Sequence, residues 1–318
     1  MFLLQFRMGL LVALLFAILY AVVVMFGTAM GVGNFNFYLG ISFVMMFIQY
    51  LIGPKMVEWS MHVRYIKREE NPKLYAMIEE QAQRAGIPMP KVCVAPIGIP
   101  NAFAFGRGRR DGRVCVSEGI MRLLNEEELK AVIGHELTHI RNRDVVTITL
   151  LSVIPIIMYR LAWHFLWYGG GRRDRDNIGP YLGLIAFLFY FITNLLVLYA
   201  SRIREYFADR GSVELGNRPS ALATALYKLV YGSARADKEA VRSVEGLKAF
   251  FINDPSRAFN EIRELRDLDL DKSGSIDAAE LSVLRSQNIH LSFSDRMMEI
   301  LSTHPNMLKR INHLSQMV

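Results

Sequence analysis

The chain is 318 residues long, 52% hydrophobic, with a formal net charge of +7 and two cysteines. That hydrophobic share exceeds the ~45–50%, a count that includes Gly, of an ordinary soluble domain, and the mean hydropathy is +0.21. The basic balance does not argue for a nucleic-acid partner, because the basic residues flank apolar blocks, where the membrane rule accounts for them.

The apolar excess sits in four blocks, 8–30, 35–52, 145–167 and 178–200. Each approaches the ~20 residues a helix needs to cross a bilayer. The first runs directly into the second and lacks a small-x-small cleavage site, so we read it as a span and not a cleaved leader. The third contains Arg160, His164 and Pro155. Trp163, Trp167 and Tyr168 place its far end at the headgroup level, where Arg160 can snorkel. With four spans, Arg7, Lys55, Arg64, Lys67, Arg68, Arg141, Arg143, Arg202 and Arg204 share one side. That excess puts both termini and the polar regions in the cytoplasm.

Between the hairpins, residues 71–86 read as an amphipathic helix opened by Pro72 and closed by Gly86. Short strands follow at 91–95, 101–105 and 113–117, the last two joined by a Gly/Arg-rich tip at 106–112. Arg107, Arg109 and Arg110 of that tip suit acidic substrate, lipid headgroups or plain solvent. Cys93 and Cys115 lie in two of the strands without a C-x-x-C partner, and read as buried, reduced structural thiols. A helix over 126–141 then carries His135-Glu136-Leu137-Thr138-His139, with Asn125 as its N-cap. Residues 201–211 continue the fourth span as helix, 218–232 form another amphipathic helix, and 302–318 a short amphipathic tail.

H-E-x-x-H places two imidazoles on one helix face, able to share one Zn²⁺, with Glu136 beside them as a base. A Lewis acid, a water it acidifies and a base are the minimum for peptide-bond hydrolysis. The metal needs a third protein ligand. Glu205 qualifies on height: His139 precedes the third span by six residues, and Glu205 follows the fourth by five. An antiparallel hairpin brings both about 8–9 Å beyond the same membrane face. Asp209, one turn after Glu205, can accept the N–H of a ligating histidine and fix its tautomer.

The motifs Asn101-Ala102-Phe103-Ala104, Val116-Ser117-Glu118-Gly119, the 131–139 run, Asn142-Arg143-Asp144, the 201–209 run and Ser302-Thr303-His304-Pro305 recur in an order that resembles the HtpX family of membrane zinc metallopeptidases, relatives of the CAAX prenyl proteases. The resemblance covers residues 1 to about 254 and the tail. It implies a mainly α membrane protein: four transmembrane helices and a cytoplasmic α+β zincin-type (gluzincin) protease domain with a small β-sheet. It also implies His135, His139 and Glu205 as zinc ligands and Glu136 as catalytic base. Asn101, Ala102, Phe103 and Ala104 would form an edge strand that takes up extended substrate, a mode in which added-strand pairing exposes one carbonyl. His304 and Tyr206 are candidate donors to the developing oxyanion.

A feature outside that pattern is the run 269–280. Asp269, Asp271, Ser273, Asp277 and Glu280 fall at the side-chain positions of a twelve-residue EF-hand loop; Ser275 offers its carbonyl and Gly274 the sharp turn. Ca²⁺ is therefore expected as a second cofactor. Residues 255–268 would enter the loop, with Phe259, Ile262 and Leu265 on one stripe. EF-hands usually pair; a lone one can be weak, pair across a homo-oligomer or have lost its metal, and Ca²⁺ here is expected to order the insert and modulate access to the zinc site.

The layout expected is a hairpin at 1–54, protease segments at 55–144 and 201–254, a second hairpin at 145–200, the EF-hand-like insert at 255–300 and a final protease segment at 301–318. The function expected is a zinc endopeptidase of a prokaryotic inner membrane, acting on membrane or misfolded proteins at the cytoplasmic face in quality control and stress response. A prenyl-protein protease and a calcium sensor with a vestigial protease site are the rivals. Four spans in place of a larger chamber disfavour the first, and the intact His135, Glu136, His139, Glu205 set the second.

Overall fold

The computed structural model describes residues 35–168, 179–235, 265–286 and 293–318, with isolated positions 10, 14, 18, 252, 261 and 262. The chain divides into two compact units. One comprises residues 1–52 and 146–203, the other 53–145 and 204–318. Three helices run from one into the other: α1 (Phe35–Ser60), α5 (Asp144–Tyr168) and α6 (Gly179–Glu214).

The first unit is helical wherever it is described. Helix α1 covers the second apolar block and continues past it to Ser60, with Pro54 inside; α5 covers the third, and α6 the fourth. Among the described residues, α6 is the helix long and apolar enough to cross a membrane. The first block and the 171–177 loop lie almost wholly outside the described residues, as do the side chains of Arg160, His164 and Trp167. Met158, Ala162, Phe165 and Ala186 are buried together between α5 and α6. Their contact is close because Gly183 lies against Leu166, whose Cγ would stand 2.7 Å from an added Cβ.

The second unit holds a four-stranded sheet in the order β1-β2-β4-β3. The strands are β1 (Arg64–Tyr65), β2 (Lys91–Ala95), β3 (Ala102–Gly106) and β4 (Gly112–Ser117). β2 and β4 run parallel, with Cys93 opposite Cys115; β3 is antiparallel to β4. Both cysteines are free and fully buried, and burial raises their thiols, Cys93 to about 12. Strand β3 starts at Ala102, one residue later than expected, and forms a sheet edge. The two-residue β1 was not anticipated: it is too short to leave a pattern.

Around the sheet lie α2 (Pro72–Ala85), α3 (Glu118–Leu123), α4 (Glu126–Asn142), α7 (Pro219–Ala234), α8 (Ala278–Ser286), α9 (Phe293–Ile300) and α10 (Met307–Ser315). Helix α2 begins where Asn71 caps the Leu74 N–H and ends at Gly86, in the left-handed region, as its sequence predicts. On α4, Ile133, Leu137 and Ile140 are buried in the core, each contributing ~1.5–3 kcal/mol. Opposite them α6 crosses α4 at Gly211, where any side chain would overlap Thr138. The Ser212 hydroxyl donates to the Ala131 carbonyl at 2.6 Å beside this crossing. The close approach holds the polar end of α6 against the H-E-x-x-H helix. Gly211→Leu should therefore destabilise the protein by ~1–3 kcal/mol, read as a lower melting temperature in detergent; an unchanged melt would show that the crossing does not need a glycine.

Candidate active site

Helix α4 is fixed at both ends. Asn125 Oδ1 accepts the Glu128 N–H at 2.9 Å, and Glu128 Oε2 accepts the Asn125 N–H at 3.0 Å, a capping box. The helix stops at Arg143, whose φ of +58° is left-handed and whose N–H donates to the Ile140 carbonyl. Two turns and one turn before that stop, His135 and His139 stand edge to face with their Nε2 atoms 3.2 Å apart.

Helix α6 supplies the carboxylate. Glu205 Oε2 lies 3.5 Å from His135 Nε2, and Oε1 lies 3.5 Å from His139 Nε2. The opposite ring nitrogens are held by two other carboxylates: Asp209 Oδ1 at 2.9 Å from His135 Nδ1, and Asp144 Oδ2 at 2.6 Å from His139 Nδ1. A carboxylate at Nδ1 keeps the proton there, so both Nε2 lone pairs face inward. Two lone pairs at 3.2 Å and an ionised carboxylate, with His135 and Glu205 buried and His139 half-buried, repel one another unless a cation lies among them. Two imidazoles and one carboxylate are a donor set that fits Zn²⁺.

The tail completes the cluster. Arg310, fully buried on α10, donates from Nε to Asp209 Oδ2 at 2.9 Å and from Nη2 to Oδ1 at 2.6 Å. Its Nη1 lies 3.3 Å from Glu205 Oε2 and donates to the Ile252 carbonyl at 3.1 Å. The sequence reading missed Arg310, since one arginine in an amphipathic tail looks like a solvated charge. Asp144 is recognisable in sequence only as part of the Asn142-Arg143-Asp144 motif; its hold on His139 is visible in the fold alone.

Electrostatics follow from burial against these partners. Burial would raise the Glu205 carboxyl, but His304, His135 and Arg310 hold it well below the ordinary range. Asp209 is likewise lowered against burial, chiefly by Arg310. Burial would lower His135, yet Asp209 and Glu205 lift the metal-free ring to about 9, so its Nε2 lone pair faces inward only when a metal ion takes the place of that second proton. Glu136 alone among these carboxyls is pushed up, by burial first, against the pull of the two histidines.

Glu136 accepts a backbone hydrogen bond from Ala104 of β3, which sets the base beside the sheet edge. Ala102 and Phe103 are buried in that strand. Asn101 precedes the strand and is spent inside the protein: its Oδ1 accepts the Ile252 N–H, and its own N–H donates to Ser117 Oγ. His304 Nδ1 lies 3.5 Å from Glu205 Oε2; neither ring nitrogen has a hydrogen-bond partner among the described residues. Tyr206 packs its ring against His313.

The 269–280 loop gathers Asp269, Asp271 and Glu280, whose oxygens lie within 4.8 Å of one another. Asp269 accepts the Ser273 and Gly274 N–H groups, each at 2.9 Å, and Gly274 has φ +78°. Asp277 is not in this group; it accepts the Glu280 N–H at 2.8 Å and so caps α8. The Ser273 and Ser275 hydroxyls bond each other at 2.8 Å. Of the expected entering helix, Leu265 is buried and Ile262 packs against the core, while Phe259 lies outside the described residues.

Comparison with known proteins gives one consistent picture. Residues 68–318 match the sequence model of peptidase family M48. A protease HtpX homolog of Methanothermobacter thermautotrophicus is 49% identical over 227 residues, covering 71% of this chain and 86% of that protein. One of Bifidobacterium longum is 35% identical over 258 residues, covering 79% and 84%. The crystal structure of S. mikatae Ste24p superimposes with a TM-score of 0.52 at 16% identity, over 94% of this chain and 62% of that one, a likeness of fold.

Two substitutions test the cluster. Asp144→Ala should weaken zinc binding by roughly 10–100-fold in a chelator competition; wild-type affinity would deny Asp144 its role. Arg310→Met leaves Asp209 buried without its fork and should cost ~3–5 kcal/mol of stability, read by thermal unfolding.

Proposed function

Because the chain belongs to peptidase family M48, with relatives of the HtpX type, we propose that this metallopeptidase is a zinc-dependent membrane endopeptidase, cutting membrane or misfolded proteins at the cytoplasmic face of the membrane. The observation that carries the proposal is the convergence of His135 Nε2, His139 Nε2 and the Glu205 carboxylate, with both Nδ1 atoms held by aspartates. Zn²⁺ held by these three residues supplies a Lewis acid that acidifies water and polarises the scissile carbonyl.

The chain's own groups do the rest. Glu136, buried and raised, is a base able to take a proton from water and return it to the leaving amine. An extended peptide pairs along the edge of β3 from Ala102 to Ala104, which sets one carbonyl beside Glu136. His304 brings buried ring nitrogens, without a hydrogen-bond partner among the described residues, to within 3.5 Å of Glu205, suited to donate to the carbonyl oxygen as it gains charge.

The membrane reading rests on the four apolar blocks and on the face that α6 exposes: Leu184, Phe187, Leu188 and Phe191 are all open to solvent. The basic residues flanking the blocks favour a cytoplasmic site. The prenyl-protein alternative shares the chemistry, but the HtpX homologues at 35–49% identity favour a general endopeptidase.

Calcium belongs to the same proposal. Asp269, Asp271 and Glu280, with Ser273, Ser275 and Asp277 at the intervening EF-hand positions, are its ligand set. Where a second EF-hand would pair, Thr224 of α7 stands in: its Oγ1 accepts the Ile276 N–H and donates to the Ile276 carbonyl, each at 2.9 Å. The Tyr227 hydroxyl donates to Asp269 at 3.1 Å. Bound Ca²⁺ would thus act on α7, which packs beside the metal helix and bonds it through Lys228 and Glu128.

Glu136→Gln should retain zinc by metal analysis while casein cleavage falls roughly 10²–10⁴-fold; a wild-type rate would remove Glu136 as the base. For calcium, calorimetric titration of Asp269→Ala should show binding at least about tenfold weaker than wild type, and identical isotherms would withdraw the loop.

A further inference from the structure

The β3–β4 tip carries a charge pattern that the catalytic cluster does not use. It is clamped to the last turn of the metal helix at two points. Arg109 Nε donates to the Arg141 carbonyl at 2.6 Å. Gly112 lies against Ile140, where an added Cβ would stand 2.9 Å from Cγ2. Gly106 allows the tip to fold so tightly: its φ is +142°, and a side chain there would overlap the Asp111 carbonyl.

Arg141 is four residues from Val145, where the apolar run of α5 begins. Four residues of chain span at most ~15 Å. A headgroup layer is roughly 5–8 Å thick, and its potential reaches about 8 Å further at physiological ionic strength. The tip therefore lies within the field of a bilayer that receives α5.

The charges are unbalanced. Asp111 is bound by Arg107 at 3.1 Å and Arg113 at 2.9 Å, and Glu214 by Arg141 at 3.2 Å and Arg210 at 3.0 Å. Arg109 and Arg110 are exposed and pair with no carboxylate among the described residues. Guanidinium groups left this way at headgroup depth match phosphate and other anionic headgroup oxygens.

We propose that the 107–110 tip, through Arg109 and Arg110, docks on anionic lipid headgroups and so holds the end of the substrate strand β3 at the membrane surface. This rests on the membrane reading above. Docking of acidic substrate peptide on the same arginines is the competing possibility, and the test separates the two.

The full chain is reconstituted in vesicles of phosphatidylcholine alone, or with 30% phosphatidylglycerol (roughly the anionic content that sets up such a surface potential), and flotation is checked first. Hydrogen exchange is then followed in peptides covering 107–111. Exchange should slow by roughly fivefold per engaged arginine in the anionic vesicles, return to the neutral-vesicle rate at high salt, and respond about fivefold less in Arg110→Glu. Arg110 makes no hydrogen bond or ion pair among the described residues, so its loss should leave casein cleavage in detergent unchanged. Equal exchange in both vesicles overturns the proposal. So does protection given only by a polyglutamate peptide, or equally by free phosphate, in neutral vesicles. Failure to float would instead defeat the membrane reading, and the tip proposal with it.

Discussion

Two imidazole nitrogens held 3.2 Å apart, one ring buried and the other nearly so, are the constraint from which the rest of this structure follows. Neither ring can turn away, because Asp209 and Asp144 grip their far nitrogens. The aspartates are themselves held in the protein: Asp209 is forked by Arg310, and Asp144 is buried at the first residue of α5. The positions are thus fixed before any metal arrives, which lowers the ordering cost of binding it.

The scaffold reads as a means of bringing these groups together. Gly211 lets α6 approach α4 closely, and that approach sets Glu205 across from the histidines. The α4 capping box fixes where the helix starts, hence which turn carries His135. The sheet contributes an edge and not a face: β3 is outermost, and its Ala104 N–H reaches Glu136. Base and candidate metal ligands therefore meet beside that edge, brought together by a strand, a helix and the polar end of a long apolar helix. The burial that lifts Glu136 is the same burial that the cationic neighbours of Glu205 overcome, so two carboxyls one helix apart acquire opposite tendencies.

What could be read in the sequence was whatever depends on local spacing. The i, i+4 relation of His135 and His139, the cap at Asn125, the Pro72-to-Gly86 helix and strand β2 follow from periodicity and capping chemistry. Glu205 and Asp209 were accessible through matched heights on a hairpin and one helical turn. Arg310 and the Thr224–Ile276 bridge were not, because each joins segments tens of residues apart through side chains that look ordinary in their own helices. Asn101 was placed with the substrate strand by its motif, yet only the fold reveals that Ile252 and Ser117 occupy its polar groups. Strand β1 exists through its pairing of Arg64 and Tyr65 with β2, a relation that two residues cannot encode.

The account stands on His135, His139 and Glu205 sharing one ion. X-ray absorption at the zinc edge of the purified full-length chain measures this directly. It should give two imidazole nitrogens at about 2.0–2.1 Å and a carboxylate oxygen at about 2.0–2.2 Å, with the carboxylate contribution missing in Glu205→Ala. A shell containing sulfur, or one that Glu205→Ala leaves unchanged, would contradict it.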